Sequence, residues 1–507
     1  MIDVRSPAWV VSGLAGAGAV AGSFGLGGRT PRFVAAPAYG VFRDAMPGAL
    51  MAWAIEHLGT LAKPLSFLPV VVLTVLAFVL LARAAVTAGR TSRVPYTGAV
   101  AAGAFSWLLA VVLTGAMVAS LGAAVPPLVV LAATERRWRV PSDRPTQQSR
   151  RSVLAAVGAL VGFTGLSLAR GWTITGARQG PLSAILDEEA QREADWLLAL
   201  AEDRSLDVGG LEPLVSEDFY KVDINAVKPD PTAERWSLSV TGAVEDSLEL
   251  DYEDLLSMPM EHRFVTLRCV SDNVDGRQLD GALWTGVPVA DLLERAGVEG
   301  DYVMLRAVDG YHVGFPLSAL EPGLLAVGMN GRILPRGHGF PVRALAPGHW
   351  GETNGKWLEE IEVLEDEEKG YWEKKGWHGT GPVNTIAKLY EENVTHLDDG
   401  RIRLAGHAYA GTRGIARVEV SVDGGESWEE ADLSERLPGR LPVGADLEAS
   451  GIAADAWQQW VYHFEPTQDE HEVVVRATDG EGTVQPREHS RPFPRGATGW
   501  VSLTVQR

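Results

Sequence analysis

Phe264-Val265-Thr266-Leu267-Arg268-Cys269-Val270-Ser271-Asp272-Asn273 holds the single cysteine of a 507-residue chain. The stretch reads as a strand entering a polar loop. A lone cysteine excludes an internal disulfide and a Cys-rich zinc or iron–sulfur site. Three roles stay open for Cys269: a buried apolar filler, a nucleophile, or one soft thiolate given to a metal that a cofactor carries. Downstream, Trp284-Thr285-Gly286-Val287-Pro288-Val289-Ala290-Asp291-Leu292-Leu293-Glu294-Arg295-Ala296-Gly297-Val298 adds a further strand, a loop and a short helix.

Charge divides the chain into unlike parts. Residues 1–150 carry 5 acidic and 13 basic residues, whereas residues 151–507 carry 60 and 32. The strongly acidic second part favours solubility and argues against nucleic acid as a partner. In the first part, uncharged runs cover residues 6–28, 64–82, 94–134 and 152–169. A membrane-crossing helix needs about 20 apolar residues, so the 41-residue run holds two helices turning near Ser120-Leu121-Gly122. Five transmembrane helices are expected, over 6–28, 64–82, 95–117, 119–134 and 152–169. Pro126 and Pro127 should begin or kink the fourth.

Arginines set the expected orientation. Arg83, Arg90 and Arg93 follow span 2, and Arg136, Arg137, Arg139, Arg144, Arg150 and Arg151 follow span 4. Both loops should face the cytoplasm, which leaves the amino terminus inside and everything after Ala169 outside. Ser149-Arg150-Arg151-Ser152-Val153-Leu154 resembles a twin-arginine export signal, which suits a domain that must cross the membrane folded. No haem is expected. His57 is the only histidine before residue 262, and a b-type haem between helices needs two. The membrane part reads as an anchor.

Residues 171–204 read as a connector, helical over 180–204. Phe219-Tyr220-Lys221-Val222-Asp223-Ile224-Asn225 opens a folded unit of strands mixed with short helices, an α+β pattern. Asp251 to Leu256 reads as a short helix with an acidic first turn. Three further segments follow: Asp309-Gly310-Tyr311-His312-Val313-Gly314-Phe315-Pro316, then His338-Gly339-Phe340-Pro341-Val342-Arg343, then Ala346-Pro347-Gly348-His349-Trp350-Gly351 with Asn354-Gly355-Lys356-Trp357-Leu358. A glycine-rich loop offers backbone N–H groups to a phosphate, and Arg343 and Lys356 add positive charge.

Taken in order over residues 205–505, these segments resemble the sulfite oxidase family of molybdopterin-dependent oxidoreductases. The resemblance implies a molybdenum–molybdopterin cofactor (Moco) with Cys269 as the thiolate on the metal. It implies that Tyr311 brings its hydroxyl near the metal's oxo and substrate positions. Phe219, Tyr220, His338, Arg343, Gly348, His349, Gly351, Asn354 and Lys356 become the expected cofactor-binding residues, with His312 a weaker neighbour.

One departure matters. Sulfite-oxidising members carry an arginine shortly after the cysteine, yet here Val270 to Gly276 contain none and Arg277 is the first. Asp272 and Asp275 stand there instead, and an acidic loop beside the metal would repel a dianion. Arg268 precedes the cysteine, as in the branch that reduces methionine sulfoxide, but alternation along a strand turns it away from Cys269.

After Gly381-Pro382-Val383 the pattern turns to strands. Arg401 to Ala408, Ile415 to Val422 and Val473 to Asp479 alternate, and Asp423-Gly424-Gly425 signals a hairpin. About seven strands fit an immunoglobulin-like sandwich resembling the family's dimerisation domain. The expected architecture is therefore a transmembrane α-helical domain (1–170), the connector (171–204), an α+β molybdopterin-binding domain of sulfite oxidase type (205–382) and an all-β immunoglobulin-like domain (383–507). The expected protein is a multi-pass cell-membrane enzyme with its catalytic domain outside the cytoplasm. It performs two-electron oxygen-atom transfer on a small S- or N-oxide, with a separate electron carrier and a homodimer as expected partners. Sulfite oxidation, and a cofactor-free surface interaction protein that keeps the fold, are the alternatives.

Overall fold

Apolar runs interrupted by single charges still make continuous helices in the amino-terminal unit. The computed structural model describes residues 7–92, 94–138, 158, 162–173, 180–444 and 450–507. It divides into residues 1–177 with 224–230, and residues 178–223 with 231–507. In the first unit the helices are α1 (Pro7–Gly27), α2 (Ala35–Ala45), α3 (Gly48–Leu58), α4 (Ala62–Thr91), α5 (Thr97–Thr114) and α6 (Leu121–Trp138). Three stretches are long and apolar enough to cross a membrane: Ala8–Gly27, Ala62–Thr91 and Thr97–Thr114; Leu121–Thr134 is a shorter apolar one.

Several details differ from the sequence reading. Helix α4 runs past Arg83 and Arg90, because a charge at the end of a long side chain can reach polar surroundings without ending the backbone hydrogen-bond ladder. Helices α2 and α3 fill the link expected between spans 1 and 2. Pro126 and Pro127 lie inside α6. Glycines let helices touch backbone to backbone: a Cβ at Gly22 of α1 would run into the Gly122 carbonyl of α6. Residues 162–173 are helical. The rest of the expected fifth span, and the Arg150-Arg151 segment, fall outside the described residues.

In the second unit, residues 180–204 of the stretch expected as a connector are part of the folded body. Helix α7 (Glu188–Arg204) is capped by the Asp187 side chain, which accepts from Ala190 N–H at 2.8 Å. Its Gln191 Nε2 donates to the Gly331 carbonyl at 3.1 Å. Its Glu193 is buried 3.5 Å from His262 Nε2.

Two sheets then build the α+β domain. The first has the order β2-β1-β10-β5-β6, from Leu248–Asp251, Ser237–Gly242, Leu358–Leu364, Tyr302–Ala307 and His312–Pro316. The second contains β3 (Glu261–Arg268), β4 (Leu279–Pro288), β7 (Leu324–Met329) and β8 (Arg332–Ile333), with β9 (Arg343–Leu345) on β7. Helix α8 (Tyr252–Leu256) forms where expected, closed by a reciprocal capping box between Asp251 and Asp254. Helix α9 (Val289–Ala296) buries Val289, Leu292, Leu293 and Ala296 and stops at Gly297, whose φ of +63° suits glycine. Every residue of β3 is buried.

The carboxy-terminal domain is two four-stranded sheets. One has β11 (Ile386–His396), β12 (Ile402–Tyr409), β18 (Gln458–Phe464) and β15 (Asp432–Leu433); the other has β14 (Glu429–Glu430), β13 (Ile415–Ser421), β19 (Glu470–Asp479) and β20 (Val501–Gln506). One strand leaves this arrangement. β16 (Pro438–Pro442), backed by β17 (Ser450–Ile452), pairs antiparallel with β3, placing Leu441 opposite His262. The carboxy-terminal domain thus extends the sheet that carries Cys269.

Candidate cofactor site

Cys269 stands where β3 ends. Its N–H donates to the Gln278 carbonyl at 2.9 Å, and its own carbonyl accepts from Asp272 N–H at 3.0 Å, closing a turn. The thiol is buried with Sγ 3.1 Å from Ser271 Oγ. Burial pushes its pKa up despite the Ser271 hydrogen bond. A metal would therefore displace a proton on binding.

Gly351 comes close to this turn. A Cβ there would lie 2.8 Å from Tyr220 Oη, 3.3 Å from the Arg268 carbonyl and 3.6 Å from Cys269 Cα, so a larger residue would push the Tyr220 hydroxyl aside. Phe219 stacks on Tyr220 at 5.3 Å and meets Trp284 and His338 edge-on at 5.7 and 5.5 Å. Burial, then the nearby Cys269, raises the Tyr220 phenol well above its ordinary pKa, leaving it a hydrogen-bond donor.

Arg343 supplies the unusual chemistry. It lies on β9, buried, with Nη2 donating to the Asn354 carbonyl at 3.1 Å and the guanidinium 5.0 Å over the Trp284 ring. Its Nε finds no acceptor among the described residues. Burial lowers its pKa to about 10, which leaves it charged at neutral pH. A buried cation with a spare donor calls for an anion. Nearby, a Cβ at Gly339 would lie 3.0 Å from Arg343 Cβ and 3.1 Å from Lys356. Lys356 Nζ donates to the Gly337 carbonyl at 3.1 Å and stands 3.9 Å from Asp223. The phosphate of a pterin tail fits this donor set.

Other expected residues support the loop. Asn354 Oδ1 accepts from Ala346 N–H at 2.9 Å and Nδ2 donates to the Trp350 carbonyl at 3.1 Å, so its amide is engaged in holding the turn. Gly348 has φ of +71° and passes close to Thr412. His349 Nδ1 lies 2.8 Å from the Pro347 carbonyl, and burial lowers its pKa, keeping the ring neutral.

Tyr311 Oη donates to the Glu352 carbonyl at 2.7 Å. Burial first, then the Glu352 and Glu373 carboxyls, holds its pKa well up. His312 is half-buried, its Nε2 3.0 Å from Lys374 Nζ. Behind Tyr311, the oxygens of Glu352 and Glu373 are shut from solvent without a hydrogen-bond donor. Burial, then the Glu373 carboxyl, drives Glu352 well above the carboxylate range, and burial raises Glu373 too. Such a pair holds at least one proton at neutral pH. Sequence reading missed both acids: Glu352 directly follows Gly351 in the quoted loop, but Glu373 carries no local signal.

The expectation about Asp272 needs correction. It does not bring a free negative charge to the metal side. Asp272 is buried, 3.0 Å from Arg268 Nε and 2.5 Å from Lys388 Nζ. Lys388, a carboxy-terminal residue, was not foreseen. Arg268 turns away from Cys269 as expected and also donates to the Asn384 and Ala497 carbonyls, at 3.3 and 3.2 Å. Arg277 is exposed and pairs with Glu392. Among the described residues no group of three His, Cys, Asp or Glu could hold a metal ion, so a metal here must bring most of its own ligands.

Residues 225–372 match the oxidoreductase molybdopterin binding domain, and residues 382–496 the Mo-co oxidoreductase dimerisation domain. The first match implies the molybdenum–molybdopterin cofactor, and the second points to a homodimer. The chain is 29% identical over 325 residues to sulfite oxidase of Arabidopsis thaliana, covering 53% of this chain and 81% of that one. It is 29% identical over 308 residues to the mitochondrial sulfite oxidase of Rattus norvegicus, covering 51% and 54%, and so spans about half of that relative. Among solved structures, the sulfane dehydrogenase SoxCD from Paracoccus pantotrophus matches at a TM-score of 0.48 and 20% identity, over 59% of this chain and 82% of that one. The uncharacterized oxidoreductase YuiH of Bacillus subtilis is 34% identical over 151 residues, 29% of this chain and 74% of YuiH. Likeness at that level, over most of a relative's length, means that the chain belongs to the sulfite oxidase family of molybdopterin-dependent oxidoreductases.

Proposed function

We propose that this protein is a membrane-anchored oxidoreductase that removes oxygen from a small neutral or zwitterionic S- or N-oxide. The bound cofactor supplies the two-electron oxygen-atom transfer itself. For a sulfoxide the balance is one sulfoxide, two electrons and two protons giving one thioether and one water, with the electrons arriving from a separate one-electron carrier. Cys269 holds the metal. Arg343, Lys356, Tyr220, Phe219, His338 and the Gly348–Gly351 loop hold the pterin and its phosphate, with Asn354 and His349 fixing that loop. Tyr311 orients the substrate oxygen by its phenol hydrogen.

The observation that carries this reading is the acid pair behind Tyr311. Glu352 and Glu373 make that side proton-rich and hostile to a dianion, while Arg268 is engaged elsewhere and Arg277 faces solvent. A neutral oxide that must gain protons suits such surroundings. Sulfite oxidation is the competing reading, favoured by the names of the relatives. For placement, the loop arginines support an outward catalytic domain behind five spans.

Steady-state assays of the purified holoenzyme with methionine sulfoxide and with sulfite decide between them. The expected result is sulfoxide reduction, with sulfite turnover well below the usual specificity range of about 10⁴–10⁸ M⁻¹s⁻¹. Sulfite turnover inside that range overturns the proposal. Protein purified from a competent host without molybdenum and pterin would sink the enzymatic reading altogether.

A further inference from the structure

The strand that delivers Cys269 is held at its start, middle and end by the carboxy-terminal domain. At its start, β16 pairs with β3 opposite Glu261 and His262. In its middle, Thr266 N–H donates to the Asp455 carbonyl at 2.9 Å, Thr266 Oγ1 accepts from Trp457 N–H at 2.9 Å, and Tyr409 Oη donates to the Thr266 carbonyl at 2.8 Å. At its end, Arg268 donates to Asn384 and Ala497, both carboxy-terminal. Beyond Cys269, Lys388 from β11 closes the turn. Its Nζ reaches Asp272 Oδ2 and the Gly276 carbonyl, each at 2.5 Å, and the Asn273 carbonyl at 3.3 Å.

A domain that served only to pair two subunits would not need a buried lysine inside the metal loop. The Lys388 side chain is 1% exposed and those of Arg268 and Asp272 are fully buried, so their charges act through a poorly screened medium. Together they carry one net positive charge, two cations against one carboxylate, three residues from Cys269. That fixed charge favours the electron-richer state of whatever Cys269 binds.

We infer that the carboxy-terminal domain is a working part of the cofactor centre, with Lys388 as a positioning residue that fixes the Cys269 turn and, with Arg268 and Asp272, raises the metal's reduction potential. The inference rests on Cys269 being the metal's thiolate.

The test uses the full-length holoenzyme, with the one-electron potential read by titrating the Mo(V) resonance, together with molybdenum content and Tm. Lys388→Met removes the net charge, and the reduced-to-oxidised ratio at the wild-type midpoint should fall about tenfold, a shift of about 59 mV downward. Asp272→Asn should shift it upward. The double variant Asp272→Asn/Lys388→Met restores one net charge and should return near the wild-type potential. A purely structural lysine would lower Tm in Lys388→Met and leave the potential unmoved, which overturns the inference, as does a double variant that stays shifted. Should Lys388→Met fail to fold, Asp272→Asn carries the test, and an unmoved or downward potential there refutes it. Cys269→Ser, run alongside, separates the two claims. Full turnover in that variant defeats the thiolate assignment, whereas a dead Cys269→Ser with an unshifted Lys388→Met defeats this inference alone.

Discussion

Arg268 and Arg343 are both buried in the same domain, and they live in opposite circumstances. Arg268 has a carboxylate, two carbonyls and the face of Trp350 at 5.0 Å around it. Arg343 has one carbonyl, an aromatic ring and a bare Nε. Burying a cation costs free energy unless partners replace its water. Arg268 is compensated by the chain itself, so it serves the fold. Arg343 is left incomplete by the chain, so its compensation must come from a ligand. The acids repeat the contrast: Asp272 has two cations, whereas the Glu352 and Glu373 carboxyls face each other with no cation among the described residues in an ion pair with either.

Exchanging the two arginines for methionine sharpens that contrast. Arg343→Met should cut pterin affinity about a hundredfold, since truncating one partner of a buried, hydrogen-bonded charge pair costs roughly 2–5 kcal/mol. Cofactor-free stability should hold or rise, because an uncompensated buried charge is gone. Pterin content at limiting cofactor, set beside Tm, checks both. A full pterin content in Arg343→Met would erase the distinction.

Arg268→Met should do the reverse. Lys388 still neutralises Asp272, so the loss sits toward the low end of the roughly 3–5 kcal/mol for breaking a buried pair, about 3 kcal/mol. Chemical denaturation of the cofactor-free protein reads it. The Asp272→Asn/Arg268→Met double variant should recover none of that loss, because it leaves the Lys388 cation buried without a carboxylate.

Much of this centre was legible in the sequence where chemistry is local. The Cys269 turn and the Asp251 cap follow from residues a few positions apart. The direction of Arg268 follows from strand alternation. What stayed hidden depends on chain returning from far away: Lys388 stands 116 positions from Asp272, and Ala497 stands 229 from Arg268. Hence Asp272 reads as a repelling charge until its partners are seen. Likewise β16 leaves its own domain to join β3, a pairing no local pattern encodes. In the membrane part, uncharged runs locate α4 and α5 but miss α2 and α3, whose mixture of charges and apolar residues leaves no long uncharged stretch.

Two buried acids, Asp272 just beyond the Cys269 strand and Asp455 beside its middle, give the smallest and most directional expectation. Burial works against the charge of Asp272, but Lys388 and Arg268 outweigh it and hold its pKa below the ordinary carboxylate value. Asp272 therefore stabilises the fold above the unfolded pKa near 4, and that contribution is lost as pH falls. Asp455 is the opposite case. Burial pushes it up to about 8 against the pull of Tyr409 and Arg263. Tyr409 Oη lies 2.7 Å from Asp455 Oδ1 and 2.8 Å from the Thr266 carbonyl, and one hydroxyl proton cannot serve both. A protonated Asp455 resolves this by donating to Tyr409, which then donates to Thr266. A folded pKa above the unfolded value means stability present below about pH 4 and lost as pH rises toward 8, at most about 1.4 kcal/mol per pH unit. Asp455→Asn keeps a donor for Tyr409 and removes the titration. Its Tm relative to the parent chain should rise steadily between pH 5 and 8, while that of Asp272→Asn should improve only on the acid side, below pH 4. Parallel Tm–pH curves for Asp455→Asn and the parent would show that Asp455 is ionised in the fold, and that the strand's middle is held by a charge rather than by a proton.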